Sequence, residues 1–195
     1  CVHQIRTLLQ VGVRTYDRHV YAITSAAPGD GKTSLTLALG LSFAASGSRT
    51  LLIDCDLVGG SLTRRLGVHS AEGMLEAMGS RSPMDFVRDT DVNDLSILPV
   101  GSATMLSAGS FSPAGLRRLI AEARKSGDIV LIDTGPILGS IEAPPVAATA
   151  DATILCVSRG QQRPAVERSM HHLIAIGAKI ARKIKRIFEN SPMPN

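Results

Sequence analysis

The chain has 195 residues, with 21 Lys and Arg against 17 Asp and Glu (a formal charge of +4), 44% hydrophobic residues, four Phe, two Tyr and no Trp. That length suits one compact core built of Ala, Leu, Ile and Val and is short for two, so residues 1–195 read as a single domain. So mild a charge argues against a general nucleic-acid footprint; no apolar run reaches membrane-spanning length, and no signal-peptide pattern opens the chain.

Residues 1–18 spell a short amphipathic helix, with Val2, Ile5, Leu8 and Leu9 on one side. A buried strand over Val20–Ser25 follows, then Ala26-Ala27-Pro28-Gly29-Asp30-Gly31-Lys32-Thr33-Ser34 and a helix over Lys32–Ser46, with Gly47 as its stop. This is the strand–loop–helix setting of a phosphate-binding loop. Gly29 and Gly31 let the backbone curl so that successive N–H groups point at phosphate oxygens, and the helix start adds its unpaired N–H groups. Lys32 would approach the β- and γ-phosphates, and Thr33 would offer its hydroxyl to Mg²⁺. Pro28, Gly29, Asp30, Gly31, Lys32, Thr33 and Ser34 are the candidate nucleotide-binding set. Ala26 stands where the usual pattern has its first Gly.

Thr50–Leu57 is a continuous apolar run ending in Asp54 and Asp56, the pattern of a strand buried on both faces of a parallel sheet. Ligands in open α/β sheets bind beyond the C-terminal ends of strands, so both carboxylates belong near the phosphates, with Asp54 a candidate Mg²⁺ ligand. Residues 58–94 are less regular, with helical stretches near Leu62–Leu66 and Gly73–Met78. Leu95–Gly101 reads as a strand, Ser102–Ser112 as a loop, and Pro113–Lys125 as a helix. Asp128–Pro136 repeats the strand theme: four apolar residues lead to Asp133, the Walker-B pattern whose acid helps hold Mg²⁺. Ala152–Ser158 is a further strand with Arg159 at its end, a candidate nucleotide contact, and a helix spans about Pro164–Ile176. The segment 179–195 alternates basic and apolar residues as an amphipathic basic tail would, and such a tail can lie on an anionic membrane surface. Cys55 and Cys156 sit inside apolar runs as small hydrophobes, and with Cys1 they form no zinc spacing; a reduced, cytoplasmic protein is expected. A start at Cys1 rather than Met suggests a piece of a longer chain.

The sequence therefore predicts a doubly wound, mostly parallel α/β sheet with helices on both faces, a three-layer P-loop NTPase. The order of its three motifs, with Leu-Ile-Asp-Cys-Asp-Leu and Leu-Ile-Asp-Thr-Gly-Pro, closely resembles the bacterial tyrosine kinases of exopolysaccharide and capsule synthesis, over about Val20–Gln161. The resemblance implies an ATP-dependent protein-tyrosine kinase using ATP and Mg²⁺, with Lys32, Asp54, Asp56 and Asp133 catalytic and Thr33, Asp54 and Asp133 toward the metal. It also implies a membrane chain-length regulator (a polysaccharide co-polymerase) as partner, protein tyrosines as substrates, homo-oligomers among the assemblies, and a place at the inner face of the plasma membrane. Four features depart from that family. Val58, Gly59 and Gly60 replace the arginines and proline after the acidic pair. The N-terminal Glu/Arg motif is reduced to Arg6, and the C-terminal tyrosine cluster is missing, leaving Tyr16 and Tyr21. Lys179–Asn190 fits poorly as the last strand, whose Asn would recognise adenine, so Asn190 is a weak candidate. The alternative is an ATP-binding switch or ATPase partner module without kinase activity, related to partitioning-type ATPases. Ala27 stands where those switches carry an extra Lys.

Overall fold

The computed structural model describes residues 2–17, 19–68, 70, 72–101 and 111–181. Among the described residues, six strands form one sheet: β1 (Val20–Ser25), β2 (Thr50–Asp54), β3 (Arg88–Asp89), β4 (Leu95–Leu98), β5 (Ile129–Pro136) and β6 (Ala152–Cys156), in the spatial order β3-β4-β2-β5-β1-β6. Neighbouring strands run parallel, except that the two-residue β3 pairs antiparallel with β4 at the edge. Among the described residues, seven helices accompany the sheet: α1 (Val2–Tyr16), α2 (Lys32–Ala44), α3 (Ser61–Arg65), α4 (Met74–Gly79), α5 (Pro113–Ser126), α6 (Ala143–Thr149) and α7 (Arg163–Ala175).

Side chains of a strand alternate between its faces, and here both faces are apolar. Val20, Ala22, Leu51, Ile53, Val130 and Ile132 face one layer, where Met74, Met78, Leu116, Leu119 and Ile120 cover them from α4 and α5. The intervening Tyr21, Ile23, Leu52, Ile129 and Leu131 face the other layer, against Ile5 and Leu9 of α1 and Leu39 and Phe43 of α2. Two-sided burial explains why these strands are nearly unbroken aliphatic runs. The Tyr21 hydroxyl donates to the Leu9 carbonyl at 2.9 Å, tying α1 to the sheet.

The helix ends follow local chemistry. The Ser112 hydroxyl accepts from the Gly115 N–H at 3.1 Å and Pro113 opens α5, where the missing N–H costs nothing. Past α2, Gly47 adopts φ +78° and donates its N–H to the Ala44 carbonyl at 2.8 Å, the expected stop. Three elements escaped the sequence reading: β3, the 3₁₀ turn Pro83–Phe86 before it, and α6. Each is too short to show a period, and α6 carries Pro144-Pro145 just after its first residue, Ala143, which reads as a breaker though the first helical turn accepts it.

The segment after α7 differs from expectation. Ile180 forms a parallel bridge with Thr153, the Thr153 N–H donating to Lys179 and the Ala181 N–H to Thr153. Residues 179–181 thus enter alongside β6 as a strand would rather than as the start of a basic helix, because the open edge of β6 offers unpaired backbone groups. The rest of that tail, with Asn190, lies outside the described residues, as do 102–110 of the Ser-rich loop. Among the described residues, no helix is long and apolar enough to cross a membrane.

Candidate functional site

The parallel register brings the three motifs to one end of the sheet. Asp54 of β2 stands opposite Asp133 of β5, and Asp133 opposite Ile23 of β1, the strand that feeds the glycine loop. Gly29 and Gly31 both adopt φ +84°, where a side chain would be strained, and α2 begins at the next residue, Lys32. The loop is therefore bent before any ligand arrives, with the positive end of a 13-residue helix at its floor.

Lys32 extends to the acidic strand ends. Its Nζ lies 3.0 Å from Asp56 Oδ2, the two side chains 11% and 10% exposed. Asp56 Oδ1 accepts the Gly59 N–H at 2.8 Å, shaping the Val58-Gly59-Gly60 turn. Asp54 is buried and engaged at both oxygens: Oδ2 accepts the Thr63 N–H at 2.8 Å and the Thr63 hydroxyl at 2.7 Å, and Oδ1 accepts the Asp56 N–H at 3.3 Å. Burial pushes its carboxyl upward, against the pull of the Thr63 bonds. Asp133 is also buried. Oδ1 accepts the Thr36 hydroxyl at 3.3 Å, while Oδ2 has no hydrogen-bond partner among the described residues. Burial raises its pKa to about 7, with Asp54 and Asp56 adding to the rise and the Thr33 hydroxyl and Lys32 charge opposing it.

The predicted residues thus divide. Lys32, Asp54, Asp56 and Asp133 converge, and Thr33, 7% exposed, stands beside Asp133. Asp30 sits in the loop, but its side chain turns away to the turn after β6: Oδ2 accepts the Ala27 N–H at 2.9 Å and Oδ1 the Ser158 hydroxyl at 2.6 Å. Arg159, next to Ser158, is exposed. Sequence reasoning missed Thr63, which also accepts the Val100 N–H through its hydroxyl at 3.0 Å. It also missed Arg65, whose guanidinium donates to the Ser34 hydroxyl at 2.9 Å, and buried Glu142, whose Oε1 accepts the Gly135 N–H at 3.1 Å. Nothing in spacing marked a threonine nine residues past Asp54; its partner is chosen by how α3 folds back.

Among the described residues, no group of three or more His, Cys, Asp or Glu is arranged to hold a metal by itself. The unpartnered Asp133 oxygen beside a hydroxyl does fit Mg²⁺, an ion that takes one or two protein ligands and completes its shell with phosphates and water.

A pre-bent glycine loop that delivers a lysine and a helix N-terminus to buried acids on neighbouring parallel strands defines the P-loop nucleotide-binding class. Comparison with known proteins narrows this. Residues 18–188 match the AAA domain family. The tyrosine-protein kinase CpsD of Streptococcus agalactiae is 28% identical over 181 residues, covering 90% of this chain and 77% of that protein. The succinoglycan biosynthesis transport protein ExoP of Rhizobium meliloti is 31% identical over 161 residues, 80% of this chain but 20% of ExoP. The kinase domain of the Escherichia coli tyrosine kinase ETK superposes with a TM-score of 0.83 at 24% identity, covering 92% of this chain and 71% of that domain. The chain belongs to the AAA domain family of P-loop proteins, and its relatives there are the bacterial tyrosine kinases.

Proposed function

We propose that this chain transfers the γ-phosphoryl group of Mg·ATP to protein tyrosine in the service of exopolysaccharide or capsule synthesis, acting with a membrane chain-length regulator. The observation that carries the reading is the Lys32–Asp56 pair beside the unpartnered oxygen of Asp133. With phosphates in the loop, the Lys32 ammonium would be drawn from Asp56 to the β- and γ-phosphates, leaving Asp56 free to accept the tyrosine hydroxyl proton. The tyrosyl oxygen then bonds to the γ-phosphorus, the bond to the β,γ-bridging oxygen breaks, and ADP departs. Asp56 suits the base role better than Asp54, whose oxygens are committed to Thr63 and to the turn. Thr33 and Asp133 would hold Mg²⁺, which when bound neutralises charge on the phosphates. Asp54 serves instead to fix the acidic turn and α3. The rest is positioning and electrostatics, worth several kcal/mol of barrier.

The relatives named kinase and biosynthesis protein support this assignment. Tyr21 is buried in β1 with its hydroxyl bonded, so it is no acceptor in this fold, whereas Tyr16 is exposed. The test is transfer of labelled phosphate from Mg·ATP to a tyrosine-rich peptide, with Lys32→Met as control. Phosphotyrosine that depends on Lys32 is expected. Free phosphate or bound ATP without phosphotyrosine, even after addition of a regulator's cytoplasmic segment, would favour a nucleotide switch.

A further inference from the structure

An acid inside a loop built for triphosphate is an electrostatic liability unless its charge is spent elsewhere. Asp30 is 8% exposed, and both its oxygens are hydrogen-bonded within the protein. Oδ2 accepts the Ala27 N–H at 2.9 Å, within the loop. Oδ1 gathers three donors from the turn after β6: the Ser158 hydroxyl at 2.6 Å, the Ser158 N–H at 3.3 Å and the Gln161 side-chain amide at 2.9 Å. A backbone bond runs alongside, the Ala26 N–H donating to the Cys156 carbonyl at 3.3 Å. Gly160, at φ +85°, lets the turn double back so that residues 158 and 161 reach one oxygen.

We infer that Asp30 is a positioning residue whose carboxylate, held by Ser158 and Gln161, locks the phosphate loop to the β6–α7 turn and keeps its own charge off the bound phosphates. Burial alone would raise its pKa, and the bonds from Ser158, Gln161 and Ala27 more than reverse this, so the acid is ionised and strongly held. Three donors on one oxygen at the loop's back also limit the loop's freedom before binding, which lowers the ordering cost of nucleotide capture. The sequence motif alone suggests the opposite, an acid lining the phosphate site.

The inference rests on the nucleotide reading above, and the two fail separately. The experiment measures equilibrium binding of a fluorescent ADP and a non-hydrolysable ATP analogue to the full chain, alongside melting temperature without nucleotide. Ser158 is exposed, so Ser158→Ala leaves folding intact. Its Kd is expected to rise severalfold, because the loosened loop must be ordered on binding, and more for the triphosphate than for ADP, because the freed carboxylate charge faces more phosphate charge. Ser158→Thr, which keeps the hydroxyl, should restore wild-type affinity, and in turnover the loss should appear in KM for ATP rather than kcat. Wild-type affinity in Ser158→Ala, or a lowered melting temperature with unchanged Kd, would overturn the positioning role. Failure of the wild-type chain to bind either nucleotide would overturn the P-loop reading instead.

Discussion

Replacing Asp133 by Asn should make the nucleotide-free protein more stable while removing its response to Mg²⁺. In the folded chain this carboxyl titrates at about 7 rather than 3.8, chiefly because it is buried. A group whose folded pKa is raised contributes stability that is complete below its unfolded pKa and is lost as pH climbs through the folded value. The window here is therefore about pH 4 to 7, with the penalty at its full size above it. Roughly three decades of proton affinity at ~1.4 kcal/mol each set an upper bound of ~4 kcal/mol. Asn keeps the shape and the Thr36 contact but must bury its own amide, so a net gain of ~1–3 kcal/mol at pH 8 is expected. For a chain this long, that amounts to ~3–10 °C in melting temperature. Thermal melts of both proteins without nucleotide from pH 4.5 to 8 provide the assay. Glu142 and Asp54, also shifted upward by burial, tilt both curves, and because Asp54 adds to the rise of Asp133 the difference reads Asp133 together with its coupling to Asp54. The advantage should shrink toward pH 4.5, and added Mg·ATP should stabilise the wild type while leaving Asp133→Asn nearly unmoved. A variant no more stable at pH 8 than the parent, or an advantage flat with pH, would refute the reasoning.

Three further outcomes follow from the same geometry. Lys32→Met should lower turnover by on the order of 10²–10³, the loss of one preorganised charge at the phosphates, with the fold retained; unchanged ATP hydrolysis would sink the loop assignment. Thr63→Val removes the hydroxyl that bonds both Asp54 and Val100, and should cost ~2–4 kcal/mol in denaturant titrations, since a buried carboxylate loses a short charge-assisted bond. Asp56→Asn should cut kcat for tyrosine phosphorylation by on the order of 10²–10⁴ with little change in ATP affinity. An equal loss in ATP binding would assign Asp56 to the nucleotide rather than to the proton.

Much of the architecture was legible because its signals are local. Glycines at positive φ, lysine at a helix start and aliphatic runs closed by Asp54 and Asp133 need no tertiary information to be read, and the structure has strands at Val20–Ser25, Thr50–Asp54, Leu95–Leu98 and Ile129–Pro136 within the expected segments. The resemblance to bacterial tyrosine kinases rests on those runs and agrees with the family match and the relatives. Less legible were elements too short to carry a period, α6 and β3, and the entry of Ile180 beside β6, where a free strand edge outweighs a helical pattern of charges.

The sequence by itself determined which residues are available for chemistry: a glycine loop with the pattern of a phosphate cradle, a lysine after it, and acids at the ends of buried strands. Covalent spacing and side-chain polarity are sufficient for that. Only the tertiary structure decided what each acid does, because that depends on neighbours distant in the chain. Lys32 reaches Asp56, 24 positions on; Thr63 claims Asp54; Asp133 is left with one oxygen unpartnered among the described residues; and Asp30 meets Ser158, 128 positions away. Four aspartates of equal sequence character take four roles because burial and hydrogen-bond partners, not residue type, set where each carboxylate points and whether it holds its charge.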